Sequence, residues 1–263
     1  MEYKKEPYNL WTNSANQISY LFYKTKDNSV SLSLQSENES TELMHSVDGA
    51  FSETVYLYED IVETVLNNSN VKNKNVFLSL GLGLGYVEIL VTAYFLKNCP
   101  SKQFIIYSYE KKEDLRCFFK KFIFGEEIPP VFYDCYKSIV LNFCQLYSLQ
   151  DEQLMQELKN RILNQEIIFC EEYHLKTEIP QKINGLFFDA FSIKTSPDLW
   201  EDELIHHILN SCDSSACFAT YACRSHLKKL LVAHNFILQK KKGYGGKKQS
   251  TFAYRMLSIL DQL

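Results

Sequence analysis

The spacing of apolar and polar positions changes several times along the chain. Ile18 to Tyr23 is largely apolar, Val30-Ser-Leu-Ser-Leu-Gln35 alternates with period two, and Lys26-Asp-Asn28 between them is a turn signal. These residues predict a small N-terminal β-hairpin region. From Gly49 to Leu66 the apolar residues Val55, Leu57, Tyr58, Ile61, Val62, Val65 and Leu66 recur at helical spacing. Beyond residue 75 strands and helices alternate. Val76 to Leu80 reads as a buried strand, followed by a glycine loop and a helix from about Tyr86 to Lys97. Phe104 to Tyr109 is the next strand and Lys112 to Phe122 the next helix; residues 131–164 read as a mostly helical insertion. Strands follow at Ile167 to Cys170 and Gly185 to Asp189, then a helix from Pro197 to Asn210 with Ser196 as its cap. The pattern ends with a strand at Cys217 to Tyr221, a helix from Ser225 to Ala233, and strands at Phe236 to Gln239 and Thr251 to Met256.

Alternation of this kind predicts an α/β fold built on a doubly wound, mostly parallel sheet of seven strands. The last two strands, joined through Gly243 to Gly246, predict a C-terminal antiparallel hairpin. No repeat or low-complexity linker divides the chain. Residues 1–48 are expected to form the hairpin appendage and residues 49–263 one large domain, a size ordinary for a single α/β core.

The formal net charge of −4 argues against general nucleic-acid binding, but its distribution does not. Arg224, Lys228, Lys229, Lys240, Lys241, Lys242, Lys247, Lys248 and Arg255 all fall between Ser214 and Leu260, a stretch without an acid. A local basic field of this kind attracts phosphate whatever the total charge, or it is a solvated face. The eight cysteines show no C-x-x-C spacing, so zinc and redox motifs are absent and no metal is expected. Met1 to Leu10 lacks the apolar stretch of a secretion signal, and Val76 to Leu96, with three glycines and Glu88, reads as strand-turn-helix and not as a membrane span. Reduced cysteines and a cytoplasmic location are the expectation.

The candidate chemistry starts at Gly81-Leu82-Gly83-Leu84-Gly85, directly after a buried strand and before a helix. Glycines there allow a tight turn and let a ligand approach without a Cβ in the way. Glu110 ends the next strand, where a carboxylate can accept the two hydroxyl protons of a ribose; the alternative is that it caps the helix beginning near Lys112. Glycine loops also serve nicotinamide cofactors, so this segment alone leaves the chemistry open. Asp189 ends a central strand at the carboxyl edge of the sheet, where sites of α/β proteins lie; otherwise it caps the loop before Ser196. Phe191 and Trp200 are candidates to stack on a base, although Trp200 also suits core packing, and Tyr221 ends the neighbouring strand.

Three ordered motifs carry a more specific resemblance. Asp189-Ala-Phe191-Ser-Ile-Lys-Thr-Ser-Pro197-Asp-Leu199-Trp200 resembles the D-G-F-A-P-x-x-N-P-x-[LM]-W signature of the methyltransferase half of the MnmC tRNA-wobble-uridine enzymes. Phe218-Ala-Thr-Tyr221 is similar to that family's L-A-T-[FY], and Lys242-Gly-Tyr244-Gly-Gly-Lys247-Lys248 to its K-x-G-[FY]-G-x-K-R. Gly49-Ala50 with Glu53, Tyr56 and Leu57 looks like the segment preceding the family's glycine loop. The resemblance spans about residues 45–257. The chain departs from the pattern at Ser79, where the family has an acid, at Ile193 and Ser196, and at Cys170-Glu171, where a Gly-Asp pair is usual. The family's FAD-binding oxidase half is not expected within these 263 residues.

The resemblance implies a Rossmann-like class I methyltransferase that uses S-adenosylmethionine. On it, Glu53, Gly81, Gly83, Gly85, Glu110, Glu171 and Asp189 contact the cofactor, and Asp189 is also the catalytic residue. Phe191, Trp200, Tyr221, Lys242, Tyr244, Lys247 and Lys248 are the substrate side, with the hairpin lysines, Lys240 and Lys241 among them, facing tRNA phosphates. His45 is a weaker candidate for substrate contact, and Glu53 alternatively faces solvent. The implied reaction is N-methylation of the 5-aminomethyl group of tRNA wobble uridine, to give 5-methylaminomethyl-(2-thio)uridine. The anticodon stem-loop is the implied partner, with a functional link to a separate oxidoreductase or wobble-uridine modification enzyme. Two other readings stay open: an aminopropyltransferase of spermidine synthase type, and a non-catalytic RNA-binding protein with a methyltransferase fold.

Overall fold

The computed structural model describes residues 6–37, 42–68, 74–246 and 249–255. Its N-terminal strands β1 (Asn9–Asn13), β2 (Ile18–Lys24) and β3 (Val30–Gln35) form an antiparallel three-stranded sheet. Helix α1 (Ala50–Asn68) leads into the second sheet. That sheet comprises β4 (Asn75–Leu80), β5 (Phe104–Tyr109), β6 (Ile167–Cys170), β7 (Ile183–Phe188), β8 (Cys212–Thr220), β9 (Ile237–Lys241) and β10 (Ser250–Tyr254). The intervening helices are α2 (Tyr86–Asn98), α3 (Glu113–Phe124), α4 (Pro130–Tyr147), α5 (Asp151–Leu163), α6 (Asp202–Asn210) and α7 (Ser225–Ala233).

The seven strands lie in the order β6-β5-β4-β7-β8-β10-β9. The first five are parallel, while β10 runs antiparallel to both β8 and β9, as the hairpin expectation requires. The chain therefore winds outward from β4 through β5 to β6, then returns to place β7 on the other side of β4. Strand order reverses between β4 and β7, and a crevice opens there at the carboxyl ends of the strands.

Strand residues alternate between two apolar layers, as a sheet covered on both faces demands. Phe77, Phe104, Ile106 and Phe187 belong to a core shared with α1 to α5 and the N-terminal sheet. Leu78, Leu80, Leu186 and Phe188 face α6 and α7. The N-terminal sheet joins the first of these cores through its aromatic side chains. The Phe132 ring of α4 meets Trp11, Tyr20 and Phe22 at centroid distances of 5.5, 5.5 and 5.0 Å. Asp114 of α3 accepts hydrogen bonds from Asn13 Nδ2 (2.8 Å to one oxygen) and from the Tyr20 hydroxyl (2.8 Å).

The β2–β3 turn also caps α1 from a distance in sequence. Ser29 Oγ accepts the Ala50 and Phe51 amides at 3.0 Å each, and Asp27 Oδ2 accepts the Ser52 amide at 3.0 Å. Burial opposes ionisation of Asp27, but hydrogen bonds from Ser29, Thr25 and Ser52 outweigh it and hold the carboxyl at about 2.

Four expectations change. The N-terminal region has three strands, because Asn9–Asn13 pairs with β2 although Leu10 and Trp11 are adjacent and give no alternation. Pro197–Asn210 is not one helix: a 3-10 turn over Pro197–Trp200 stops at Glu201, which is extended (φ −69°, ψ 139°), before α6 starts. Ser196 makes no side-chain cap; its amide instead donates to the Ser192 carbonyl at 2.9 Å. Strand β8 begins at Cys212 and not at Cys217, since its polar first half pairs with β7 through a register shift between Ile183 and Gly185. The other elements lie within a few residues of expectation.

Phe132 is fully buried at the junction of the N-terminal sheet with the main core. Phe132→Ala is expected to lower unfolding stability by about 3–5 kcal/mol in urea titrations. It should also raise amide exchange across β1 to β3 before it does so in β4 and β5.

Candidate active site

The crevice predicted by the strand order is a cleft of about 360 Å³. Its floor is the loop after β4 and its sides are the residues that follow β5, β7 and β8. Leu34, Met44 and His45, from the N-terminal region, complete the wall.

Gly81 and Gly83 shape the floor. Gly81 has φ +105°, and a Cβ there would lie 2.8 Å from the Asp189 carbonyl oxygen. Gly83 has φ +52°, and its Cβ would press on Met44 Sδ at 3.1 Å. Any side chain at either position would fill the cradle or push its walls apart. The Gly81 and Leu82 amides donate to the Tyr109 carbonyl at 2.9 and 3.2 Å, which ties the loop to β5. Gly85, also a predicted contact, does not line the cleft; it precedes α2, packed under Phe119.

Glu110 is held on both oxygens. Oε2 accepts the Gly83 amide at 3.1 Å and Oε1 the Lys112 amide at 2.9 Å. It therefore braces the glycine loop and the turn that leads into α3, and it still lines the cleft. Burial raises its pKa, opposed by those two amides. Each carboxylate oxygen retains a lone pair for a ligand hydroxyl. Glu171 stands at the rim with its side chain 89% exposed, its carboxylate 4.0 Å from Arg116 Nη2.

Asp189 follows β7 with its side chain 11% exposed. The Tyr58 hydroxyl, from α1, donates to Oδ1 at 2.6 Å. Burial and the Asp189 charge raise the Tyr58 pKa well above the phenol range, so Tyr58 is a permanent donor. Oδ2 lies 3.9 Å from His45 Nε2. Tyr221, also on the cleft wall, donates to the Ala190 carbonyl at 3.0 Å and so fixes the peptide after Asp189.

The remaining predicted residues divide between the cleft and its supports. Phe191 lines the cleft, half-buried. Trp200 does not: it packs edge-on against Phe188 at 5.0 Å and donates from Nε1 to the Phe191 carbonyl at 2.7 Å. Glu53 is buried and off the cleft, with Oε2 accepting the Ser46 amide at 2.6 Å. Lys242 is exposed on the hairpin, its carbonyl accepting the Tyr56 hydroxyl at 2.8 Å. Tyr244 turns inward, its ring 6.0 Å from Tyr56 and its hydroxyl against Gly49. Lys241 also departs from the outward-facing expectation: its Nζ is 2.5 Å from Asp60 Oδ2 and lies over the Tyr56 ring. Lys247 and Lys248 lie outside the described residues.

Two groups escaped the sequence reading. Tyr58 sits in the apolar stripe of α1, so nothing in its spacing advertised the hydroxyl. Glu88 was visible only as one acid in an apolar run. It is fully buried behind the glycine loop, with Oε1 accepting the Ser108 hydroxyl at 2.6 Å. The buried Ser79 hydroxyl also lies beside this carboxyl and favours its ionised form.

The switch-point cleft, the glycine cradle and the sheet order define the class, a Rossmann-like α/β fold with its ligand site at the carboxyl edge of the sheet. Residues 136–256 match the family model described as S-adenosyl-L-methionine-dependent methyltransferase. Within that class the particular likeness is to MnmC. The chain is 23% identical over 205 residues, 78% of its length, to the tRNA 5-methylaminomethyl-2-thiouridine biosynthesis bifunctional protein MnmC of Campylobacter hominis. It is 28% identical over 91 residues, 34% of its length, to the protein of the same name from Legionella pneumophila. It spans 28% and 14% of those relatives' lengths. The crystal structure of MNMC2 from Aquifex aeolicus superposes with a TM-score of 0.63 at 17% identity, over 98% of this chain and 76% of that one, a likeness of fold. The chain is thus similar to MnmC proteins over most of its own length and shares the fold of MNMC2.

Burial pushes the Glu88 carboxyl up to about 7, against the opposing hydrogen bond from Ser108. Between the ordinary glutamate value of 4.5 and about 7 the folded state binds more protons than the unfolded one, so stability falls as pH rises through that window. Glu88→Gln should remove this dependence and gain about 3 kcal/mol at alkaline pH, read from urea unfolding on either side of the window.

Proposed function

We propose that the chain methylates the 5-aminomethyl group of the wobble uridine in tRNA, with S-adenosylmethionine as methyl donor and 5-methylaminomethyl-(2-thio)uridine as product. The observation that carries this reading is the placement of Asp189. Its carbonyl lies against Gly81 at the floor, while its carboxylate, fixed by Tyr58, faces the same cleft. A single residue thereby links the cofactor cradle to the place where a cationic amine would be held.

The donor set fits the cofactor. Gly81 and Gly83 leave room for an approach without side chains, the Glu110 carboxylate suits a ribose diol, and Glu171 stands on the adenine side. When bound, S-adenosylmethionine supplies an electrophilic methyl group on a sulfonium. The protein's own residues orient the acceptor. An alkylammonium, with a pKa of about 10, is held by the Asp189 carboxylate and must lose a proton before it attacks. Phe191 and Tyr221 offer flat walls for the uracil ring.

Lys240 and Lys242 are exposed on the C-terminal hairpin, with Lys247 and Lys248 following in sequence. They suit the phosphates of an anticodon stem-loop, whose unpaired bases can be splayed into a site. Among the described residues no helix is long and apolar enough to cross a membrane. A cytoplasmic enzyme, receiving aminomethylated tRNA from a separate modification enzyme, agrees with the MnmC likeness.

Asp189→Asn is expected to reduce methyl transfer to an aminomethyluridine stem-loop at least 100-fold, with cofactor binding by calorimetry retained within a few-fold. Transfer at the parental rate would remove Asp189 from the reaction. Neutralising Lys240 and Lys242 together should weaken stem-loop binding and make its log–log salt slope shallower by about 1.5–2. An unchanged slope would place the RNA elsewhere.

A further inference from the structure

His45 has a buried imidazole that the fold does not use. Its side chain is 7% exposed, and neither ring nitrogen has a hydrogen-bond partner among the described residues. Buried polar groups are nearly always paired, and an unpaired one at a cleft points to a missing ligand or a functional role. The ring lines the cleft, 4.9 Å from the Tyr86 ring, with Nε2 3.9 Å from Asp189 Oδ2.

The segment that carries His45 is fixed by three consecutive amides. Met44 N donates to the Leu32 carbonyl at 2.8 Å, His45 N to Ser31 Oγ at 3.0 Å, and Ser46 N to Glu53 Oε2 at 2.6 Å. Glu53, buried beside this segment, anchors the turn that carries the histidine. Strand β3 and α1 together aim a residue of the N-terminal region at the carboxylate that follows β7.

We propose that His45 is a catalytic residue, the acceptor of the proton that the substrate ammonium loses before methyl transfer. This rests on the reading of the chain as an amine methyltransferase. Two acceptors 3.9 Å apart are both within hydrogen-bond reach of one nitrogen placed between them. Asp189 holds one N–H and then faces the imidazolium, whose charge it stabilises. The imidazole takes the proton as general base. The amine then turns about its own C–N bond. Its freed electron pair forms the new N–C bond while the C–S bond breaks, and that pair stays on sulfur as a thioether. The product leaves as a secondary ammonium, and the imidazolium releases its proton to solvent.

Ionisable groups around the pair include Glu42 just before His45, Tyr58 and Glu53 from α1, Glu88 and Tyr86 from α2, Glu110 after β5 and Tyr221 after β8. Burial keeps the three phenols protonated, and Glu88 titrates at about 7, below the range of the test.

The test uses the full chain, S-adenosylmethionine and an anticodon stem-loop bearing an aminomethyluridine. His45→Gln should lower kcat about 100-fold or more near pH 8, with cofactor affinity by calorimetry unchanged within threefold. The deficit should narrow toward about 10-fold as the pH approaches the amine's own value of about 10, where solvent supplies the free base. His45→Ala should behave alike, which separates the loss of a base from a local clash. Parental kcat in the variants, a deficit constant with pH, or cofactor affinity falling in step with the rate would overturn the role. Absence of transfer by the parent chain would instead overturn the amine methyltransferase reading, and the role of His45 with it.

Discussion

The contact between Gly81 and the Asp189 backbone is the constraint on which the rest of the structure depends. The ends of β4 and β7 approach so closely that a single Cβ at residue 81 would stand 2.8 Å from the Asp189 carbonyl oxygen. The approach lies at the place where strand order reverses, and there the connections leaving the two strands diverge to opposite sides and keep the crevice open. The glycine loop and the carboxylate are thus parts of one wall. Residues distant in sequence, 81 and 189, become a single chemical unit because β4 and β7 pair in parallel, with Leu80 opposite Phe188.

The N-terminal sheet is a structural and chemical partner of this wall. Its turn caps α1 through Ser29 and Asp27, and its aromatic face is clamped by Phe132. Helix α1 carries Tyr58, which orients Asp189, and Glu53, which pins the turn holding His45. The cleft therefore has three structural sources: the strand ends, α1, and the segment after β3. Buried groups with raised pKa values, Glu88 and Glu110, surround the loop from behind and from the side, as expected where a fold holds polar chemistry in a dry place.

Much of this was legible in the amino-acid order. Strand periodicity over Val76–Leu80, Phe104–Tyr109 and Gly185–Asp189, with glycines and acids at the strand ends, pointed to the sheet and to its functional edge. The chain also announced its hairpin through Gly243 to Gly246. What stayed hidden was what depends on distant partners. Tyr58 is indistinguishable from its apolar neighbours until Asp189 is brought to it. Glu53 looks like a surface acid or a ligand until the Ser46 amide is folded onto it. Lys241 reads as one of a basic run, yet Asp60 and the Tyr56 ring draw it inward. The break at Glu201 escaped because nothing local in Pro197–Trp200 shows that the indole will be anchored to the Phe191 carbonyl.

A crystal structure of the chain with S-adenosylhomocysteine tests the central claim most directly. The account predicts the nucleoside over Gly81 and Gly83, its ribose hydroxyls on Glu110, and its sulfur directed at the space between Asp189 and His45. A ligand bound elsewhere, or a sulfur turned away from that space, would contradict it.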